Sequence, residues 1–361
     1  MKFTNVFLMV VIAGFLSCQK SEFLVEEKPD VEKVVGKEKD STVVEEDTTT
    51  MPVDDEIVNY IEYKDTSKVK LAPGFEKYLI RFGIDKDPIP NGYILHQYIK
   101  DIDSLHIGDW FDVGDENLTG IEGFTNLRIF ITVSLGVKKI DFSNNSKLKS
   151  FENRGWGHCM GCGTLTSLVF GKQSKLESLS LLSRENLTDL DFQNLTKLKS
   201  LKIQSMDKLR NQDISACREI EKIELDGSAG ILLGRHPKLK ELSCGAYPYH
   251  VDFTKLPALE TLVYGVSGRH TPDFSKNIEL KNLEIYTLMN AKLDVSASKK
   301  LENLTVGGNW TQTSIDLSNN MNLKKCVLTN SQLSTICVSS LANIDFTTWA
   351  KDDKAQYKVC N

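Results

Sequence analysis

The sequence predicts a solenoid of stacked coils, and three observations support that prediction. From Ile121 to Val338 an apolar residue recurs, at most steps every 19 to 22 residues. A Leu or Ile follows each of these residues six positions later. Further apolar residues stand three and five positions beyond that second residue, as in a strand with one buried face. A fixed period of this length, with apolar residues at fixed phases, indicates a repeat solenoid.

We call the first residue of each coil the anchor and the residue six positions later the leucine position. The anchors are Ile121, Phe142, Phe170, Phe192, Ile214, Leu233, Phe253, Phe274, Val295, Leu317 and Val338. The leucine positions are Leu127, Leu148, Leu176, Leu198, Ile220, Leu239, Leu259, Leu280, Leu301, Leu323 and Ile344. Stacked strands after the leucine positions would form a parallel sheet with about 4.8 Å between coils.

An aspartate precedes most anchors and a Ser or Thr often follows. The aspartates are Asp141, Asp191, Asp213, Asp252, Asp273, Asp294 and Asp316. Such side chains bond nearby backbone groups and stabilise turns. Because they recur once per coil, we interpret them as structural rather than catalytic.

Segments such as Ile315–Leu323 resemble bacterial leucine-rich repeats of about 21 residues, as in internalin-like surface proteins and lipoproteins of Gram-negative bacteria. The segment Leu118–Leu127 is similar to the junction that opens such arrays, and Trp349–Tyr357 resembles their end cap. The resemblance implies an α/β-type solenoid dominated by β structure, coiled right-handedly, with a parallel concave sheet. The asparagine ladder of these repeats is missing, since residues such as Asp207 fill its phase.

The segments outside the repeats predict an anchor and two caps. Residues 1–17 resemble a lipoprotein signal peptide, which makes Cys18 the predicted lipidated residue. The lipid would hold the protein in the outer membrane, and the cell surface is favoured over the periplasmic side. Residues 18–70 are acidic and aperiodic and predict a disordered tether, although 58–63 could dock as a strand. Residues 71–120 form a helical cap, 121–344 the solenoid and 345–361 a C-terminal cap.

Charge and cysteine content limit the function classes. The net charge is −5, but it comes from the tether; the chain after residue 70 is nearly neutral, which argues against a nucleic-acid partner. Cys244 and Cys326 occupy inward strand phases, as in the cysteine ladders of some internalins, and Cys217 lies in a turn. Cys337 and Cys360 both lie near the C-terminus, and whether they form a disulfide stays open.

A glycine-rich loop carries His158, Cys159 and Cys162. A structural loop, open or closed by a local disulfide, is the first interpretation; a metal site and a redox site are the alternatives. Zinc needs four ligands, and the thioredoxin-like setting of a redox pair is absent. We therefore predict no metal, no cofactor and no enzyme activity, with a hydrolase or redox protein as the weakest class.

Binding residues are expected on the concave sheet and its adjoining loops. The candidates are Glu152, Arg154, Trp156, Lys202, Gln204, Glu224, Asp226, Tyr247, Tyr249, Arg269, Glu284, Tyr286 and Trp310. Exposed aromatics with Arg are typical anchors of protein interfaces. The first hypothesis is therefore a monomeric, lipid-anchored protein that binds a protein partner in adhesion or cell-surface interaction. The alternative is a glycan-binding lipoprotein that stacks sugars on Trp156, Tyr249 and Trp310.

Overall fold

A computed structural model describes most of the chain after residue 61. The described residues are 62–108, 117–133, 137–154, 164–182, 186–226, 230–247, 251–266, 271–286, 292–308, 310–329 and 332–360. The predicted signal peptide, Cys18, most of the predicted tether and the loop with His158, Cys159 and Cys162 lie outside them.

The described residues contain one α-helix, α1 (Pro73–Arg81), and 21 strands. In chain order the strands are β1 (Lys68–Lys70), β2 (Tyr93–Leu95), β3 (Ser104–Ile107), β4 (Ile129–Val133), β5 (Lys139–Phe142), β6 (Ser150–Arg154), β7 (Ser167–Phe170), β8 (Ser178–Leu181), β9 (Ser200–Ile203), β10 (Gln212–Asp213), β11 (Lys222–Leu225), β12 (Ile231–Leu232), β13 (Glu241–Tyr247), β14 (Thr261–Val266), β15 (Asn282–Tyr286), β16 (Asn303–Gly307), β17 (Ser314–Asp316), β18 (Lys325–Leu328), β19 (Thr335–Val338), β20 (Trp349–Lys351) and β21 (Gln356–Val359). Short 3-10 turns lie at His96–Tyr98, Ile121–Gly123, Phe253–Lys255 and Leu341–Asn343.

Twelve of these strands form the main sheet, in the order β3, β4, β6, β8, β9, β11, β13, β14, β15, β16, β18 and β20. Neighbouring strands are parallel, and residues of equal phase stand side by side, as Leu201 does with Leu179 and Ile223. The predicted solenoid with a continuous parallel sheet is therefore confirmed. Its outward-facing side is the predicted concave face, which we call the outer face.

The core repeats from coil to coil because the same phases point inward. All eleven leucine positions are buried, and the inward residues of each main-sheet strand alternate with partly exposed ones. Early coils use phenylalanine: Phe142 packs between Phe130, Phe151 and Phe170, with ring centroids 5.3–5.8 Å apart. Each such ring contributes roughly 1.5–3 kcal/mol when buried.

The opposite side of the coils consists of turns and short parallel pairings: β5 with β7, β10 with β12, and β17 with β19 and β21. The predicted role of the aspartates is confirmed there, since each accepts a hydrogen bond from the backbone two residues later. Asp141 accepts from Ser143 at 2.8 Å and Asp316 from Ser318 at 2.9 Å. The other five bonds measure 2.8–3.2 Å.

A buried polar column, three residues after the anchor, was not predicted. Asn145, Asn277 and Asn320 lie inside the solenoid, and each side-chain amide donates to two backbone carbonyls of the preceding coil. Ser298 occupies the same phase and donates to the Asn277 carbonyl at 3.1 Å. Buried side chains therefore do connect successive coils. They stand at a different position of the repeat from the asparagine ladder that the sequence lacks.

A second row, just after the leucine positions, alternates in charge. It runs Lys149, Glu177, Lys199, Glu221, Lys240, Glu260, Lys281, Glu302 and Lys324. Glu177 bonds both neighbours at 2.8 Å, and the pairs Glu221–Lys240, Glu260–Lys281 and Glu302–Lys324 measure 2.7–3.0 Å. We call it the charge row. Along the edge of the main sheet, it places opposite charges on successive coils.

The N-terminal cap begins earlier than predicted. β1 pairs with β2 in antiparallel fashion, so residues 68–70 belong to the cap and not to a disordered tether. Helix α1 buries Phe75 and Leu79, and Gly83 follows it with φ of +66°. Phe82 is 60% exposed because the helix ends before it.

At the C-terminal end, β20 extends the main sheet and β21 the sheet on the opposite side. Cys337 in β19 and Cys360 form a disulfide, which resolves that alternative. Trp349 and Tyr357 pack edge to face with centroids 5.9 Å apart. The last coil is therefore covered by aromatic rings and closed by a covalent link.

Candidate functional site

The outer face brings together eight of the predicted binding residues. The eight are Glu152, Arg154, Lys202, Gln204, Glu224, Asp226, Glu284 and Tyr286. They are partly or largely exposed, while the residues between them along the chain are buried. Alternation along each strand thus places them as the sequence predicted; whether they bind anything stays a prediction.

The prediction that Trp310 is a binding residue is wrong. Its side chain is 1% exposed, so it cannot stack on a sugar or a partner. The backbone carbonyl of Trp310 accepts a hydrogen bond from the backbone N–H of Gln332 in the next coil at 2.9 Å. Trp156, Tyr249 and Arg269 lie outside the described residues, as does the side chain of Tyr247.

The charged centre of the outer face is paired within itself. Glu224 bonds Lys202 at 2.8 Å and Lys222 at 3.0 Å, and Lys222 also bonds Glu241 at 3.0 Å. The hydrogen bond from Lys202, aided by that from Lys222, lowers the pKa of the Glu224 carboxyl. These groups reach across three coils, so their first role is to bind neighbouring strands together.

Two other predicted residues also have local partners. Arg154 forms a two-pronged bond to Glu152, with nitrogen–oxygen distances of 2.8 and 3.0 Å, and this bond raises the pKa of the guanidinium. Asp226 accepts a hydrogen bond from the backbone of Ser205, whose φ is +59°. Asp226 therefore stabilises an unusual turn of the preceding coil.

Strand β4 carries a feature that the sequence analysis missed. Its three outward residues, Ile129, Ile131 and Val133, are all apolar, and Ile129 is 40% exposed. The neighbouring strands present Ser104 and Ser150 beside Ile129. We call these three residues the apolar row. The row is thus an apolar strip with polar side chains beside it.

Further along the sheet, Tyr286 stands between two glycines. In the parallel register it lies beside Gly265 on β14 and Gly307 on β16. A Cβ added to Gly307 would lie 3.2 Å from Cδ1 of Tyr286, so the tyrosine ring lies against that glycine. The Tyr286 side chain is still 37% exposed. Glycine at these positions keeps the ring accessible from the outer face.

Catalytic chemistry finds little support among the described residues. Cys217, Cys244 and Cys326 are buried free thiols, and burial raises the pKa of each to about 12. Cys244 stands in register with Leu225 and Tyr264, so it is a single core residue and not part of a cysteine ladder. In the described part of the chain no group of three or more His, Cys, Asp or Glu side chains could hold a metal ion.

The twelve-stranded parallel sheet and the buried leucine positions define the fold as a leucine-rich-repeat solenoid. No protein-family model matches the chain, and no curated protein matches it. Among solved structures it is similar to an internalin, InlF, from Listeria monocytogenes, with 16% identity, a TM-score of 0.44, and coverage of 80% of this chain and 97% of that one.

Two further solved structures are similar. The functional domain of InlJ from Listeria monocytogenes has 17% identity and a TM-score of 0.35 over 77% of each chain. The leucine-rich-repeat domain of the type III effector XopL has 14% identity and a TM-score of 0.31 over 69% of this chain and 75% of that one. Within the described residues, no helix has the length and apolar content of a membrane span.

Proposed function

We propose that this chain is a non-catalytic, lipid-anchored binding protein that engages a protein partner through the outer face of its main sheet. The apolar row carries the proposal. Ile129, Ile131 and Val133 lie on the face of β4 opposite its buried residues, so part of each side chain stays in contact with water. Exposed apolar side chains on a rigid sheet are stabilised when a partner removes them from water, by about 25 cal/mol per Å².

The rigidity of the surface supports the same proposal. Ion pairs within the outer face fix Glu152, Arg154, Lys202 and Glu224 before any partner arrives. Binding to a surface that is already ordered avoids the loss of side-chain freedom that weakens association. The Glu152–Arg154 pair lies on the strand next to the apolar row, as in the polar rim of a protein interface.

A photo-crosslinking experiment in the native cells tests the binding face. A photoreactive residue replaces Ile131 in the full chain, and a matched variant carries it at Val169, which is 42% exposed on the opposite side of the coil. We expect a discrete protein adduct from position 131 and none from position 169. Equal adducts from both positions, or none from position 131, would contradict the proposed face.

The anchor is a separate part of the proposal. We infer that Cys18 is lipidated and holds the chain in the outer membrane, on the cell surface in preference to the periplasmic side. Its support is the sequence pattern of residues 1–18. Cys18→Ala should move the protein from the membrane to the soluble fraction, whereas Cys217→Ala should not. Protease added to intact cells then distinguishes the two sides of the membrane.

Glycan binding is the second candidate. Tyr286 is the aromatic ring on the described outer face that a sugar could reach, since Trp310 is buried. A glycan array with the full chain tests it, with Tyr286→Leu as the informative variant. Specific sugar binding that this substitution abolishes would place the glycan hypothesis ahead of the protein one.

A further inference from the structure

We propose that Glu284 and Tyr286 form a subsite for one cationic side chain, an arginine or a lysine, of the protein partner. The inference rests on the proposed function and specifies the chemistry of the partner. The two residues stand two apart on β15 and face outward together, so their Cβ atoms are about 7 Å apart. A carboxylate and an aromatic ring at that separation can hold the same charged group.

The first observation is that Glu284 has no cationic partner among the residues that the structure describes. Its neighbours across the sheet are Val263 on β14 and Thr305 on β16, which carry no charge. Glu152 and Glu224, at the same phase of other coils, are each paired with Arg or Lys at 2.8 Å. Within the described residues Glu284 therefore stands apart as a half-buried carboxylate of this face without a counter-charge.

Two residues before Glu284, polar side chains of neighbouring strands bond one another. Asn303 donates to Asn282 at 2.7 Å, and Asn282 donates to Thr261 at 3.1 Å. Neither bond involves Glu284, so its carboxylate is the charged group next to Tyr286. A negative charge favours a cation over a neutral ligand.

The second observation is the placement of the ring. Tyr286 lies against Gly307, while Gly265 on the other side adds no side chain to cover it. An exposed aromatic face attracts a guanidinium or ammonium group within about 6 Å of its centre. A planar guanidinium can stack on the ring and direct its donors to the Glu284 carboxylate, which makes arginine the better fit.

Defined probes test the subsite without the partner. The full chain is titrated with Nα-acetylarginine amide, and the resonances of Tyr286 are followed by NMR. Nα-acetylcitrulline amide, which is neutral and nearly the same shape, is the matched ligand, and methyl glycosides represent sugars. We expect the arginine probe to bind roughly fivefold to tenfold more tightly than the citrulline probe. Glu284→Gln should remove that preference. Tyr286→Leu should weaken binding of the arginine probe by a similar factor, as followed by the backbone amides of the neighbouring Gly265 and Gly307, because the Tyr286 resonances are then absent.

Glu219→Gln is the control, because it removes a carboxylate that is paired with Lys238 and lies outside the strands of the main sheet; it should leave the titration unchanged. Equal binding of the arginine and citrulline probes overturns the proposal, as does absence of any shift at tens of millimolar. Tyr286 shifts caused by glycosides alone would overturn it in favour of a sugar site. The crosslink at position 131 is an independent result, so failure of this subsite and failure of the binding face can be told apart.

Discussion

The side-chain amide of Asn277 lies inside the solenoid and donates to the backbone carbonyl of Leu256 in the preceding coil, 2.8 Å away. The same amide reaches the Phe253 carbonyl at 3.1 Å. These bonds fix the spacing and orientation of two coils at a point that water does not reach. The stability of the array therefore depends on polar groups inside it as well as on its leucines.

Asn277→Ala should lower the free energy of unfolding by about 1–3 kcal/mol, because two buried carbonyls each lose a donor. Asn322→Ala is the control: its amide also donates to a carbonyl, that of Lys299 at 2.9 Å, but Asn322 is exposed, so water can replace it. Urea unfolding of both variants gives the comparison. Similar losses in the two variants would show that burial is not what makes Asn277 important.

The charge row predicts an unusual titration at Glu177. Hydrogen bonds from Lys149 and Lys199 lower its pKa from 4.5 to about 2. Because the folded-state pKa is depressed, the stabilisation is fully present above about pH 4.5 and is lost as the pH falls towards 2. Replacing both lysines with methionine should return the pKa of Glu177 towards its ordinary value, as followed by carboxyl ¹³C NMR.

Lys324→Met is the control for that titration, because Lys324 pairs with Glu302 elsewhere in the row. It should leave the Glu177 pKa unchanged. Since Glu177 and its lysines are solvent-exposed, high salt should also weaken the effect. A Glu177 pKa that stays near 2 in the double variant would show that the lysines are not its cause.

The disulfide predicts a dependence of the C-terminal coils on oxidation. Cys337 and Cys360 are 23 residues apart, and a loop of that size typically gives about 2–4 kcal/mol. A variant with serine at both positions should lose about that much in urea unfolding, with faster amide exchange in β19 and β21. Exchange that accelerates equally in β4 would contradict this local role.

The buried thiols predict a pattern of chemical protection. Cys217, Cys244 and Cys326 are buried, and their pKa of about 12 leaves almost no thiolate at neutral pH. Iodoacetamide should leave all three unmodified in the native protein and modify them in urea, as mapped by peptide mass spectrometry. Rapid alkylation of Cys244 under native conditions would contradict its place in the core.

The sequence predicts those parts of the fold that depend on one repeated phase. The leucine positions and the aspartate turns could be located from spacing alone. Each coil has a buried apolar residue at one position, and most coils have a side chain that accepts from a backbone N–H at another. The apolar row was missed because Ile129, Phe130 and Ile131 are all apolar, so alternation does not show which residues face outward. Counting from Leu127 would have shown it, since outward residues follow the leucine position at even intervals.

Other features depend on contacts between coils that the sequence does not display. Trp310 reads as a loop aromatic, and only the packing of neighbouring coils shows that it is buried. The column of Asn145, Asn277, Ser298 and Asn320 does leave a signal, a polar residue three positions after the anchor in those four coils. The sequence does not predict that Glu224 is paired and Glu284 is not, because both facts depend on side-chain geometry.

Carboxyl footprinting of the complex tests the central claim most directly. Carbodiimide coupling is compared for the full chain alone and with the partner identified by crosslinking. We predict that the partner decreases labelling of the outer-face carboxylates Glu152, Glu224 and Glu284. Labelling should stay unchanged at Glu219 and Glu279, which pair with lysines of neighbouring coils. Unchanged labelling of all three outer-face carboxylates, with protection at Glu219 and Glu279 instead, would contradict it.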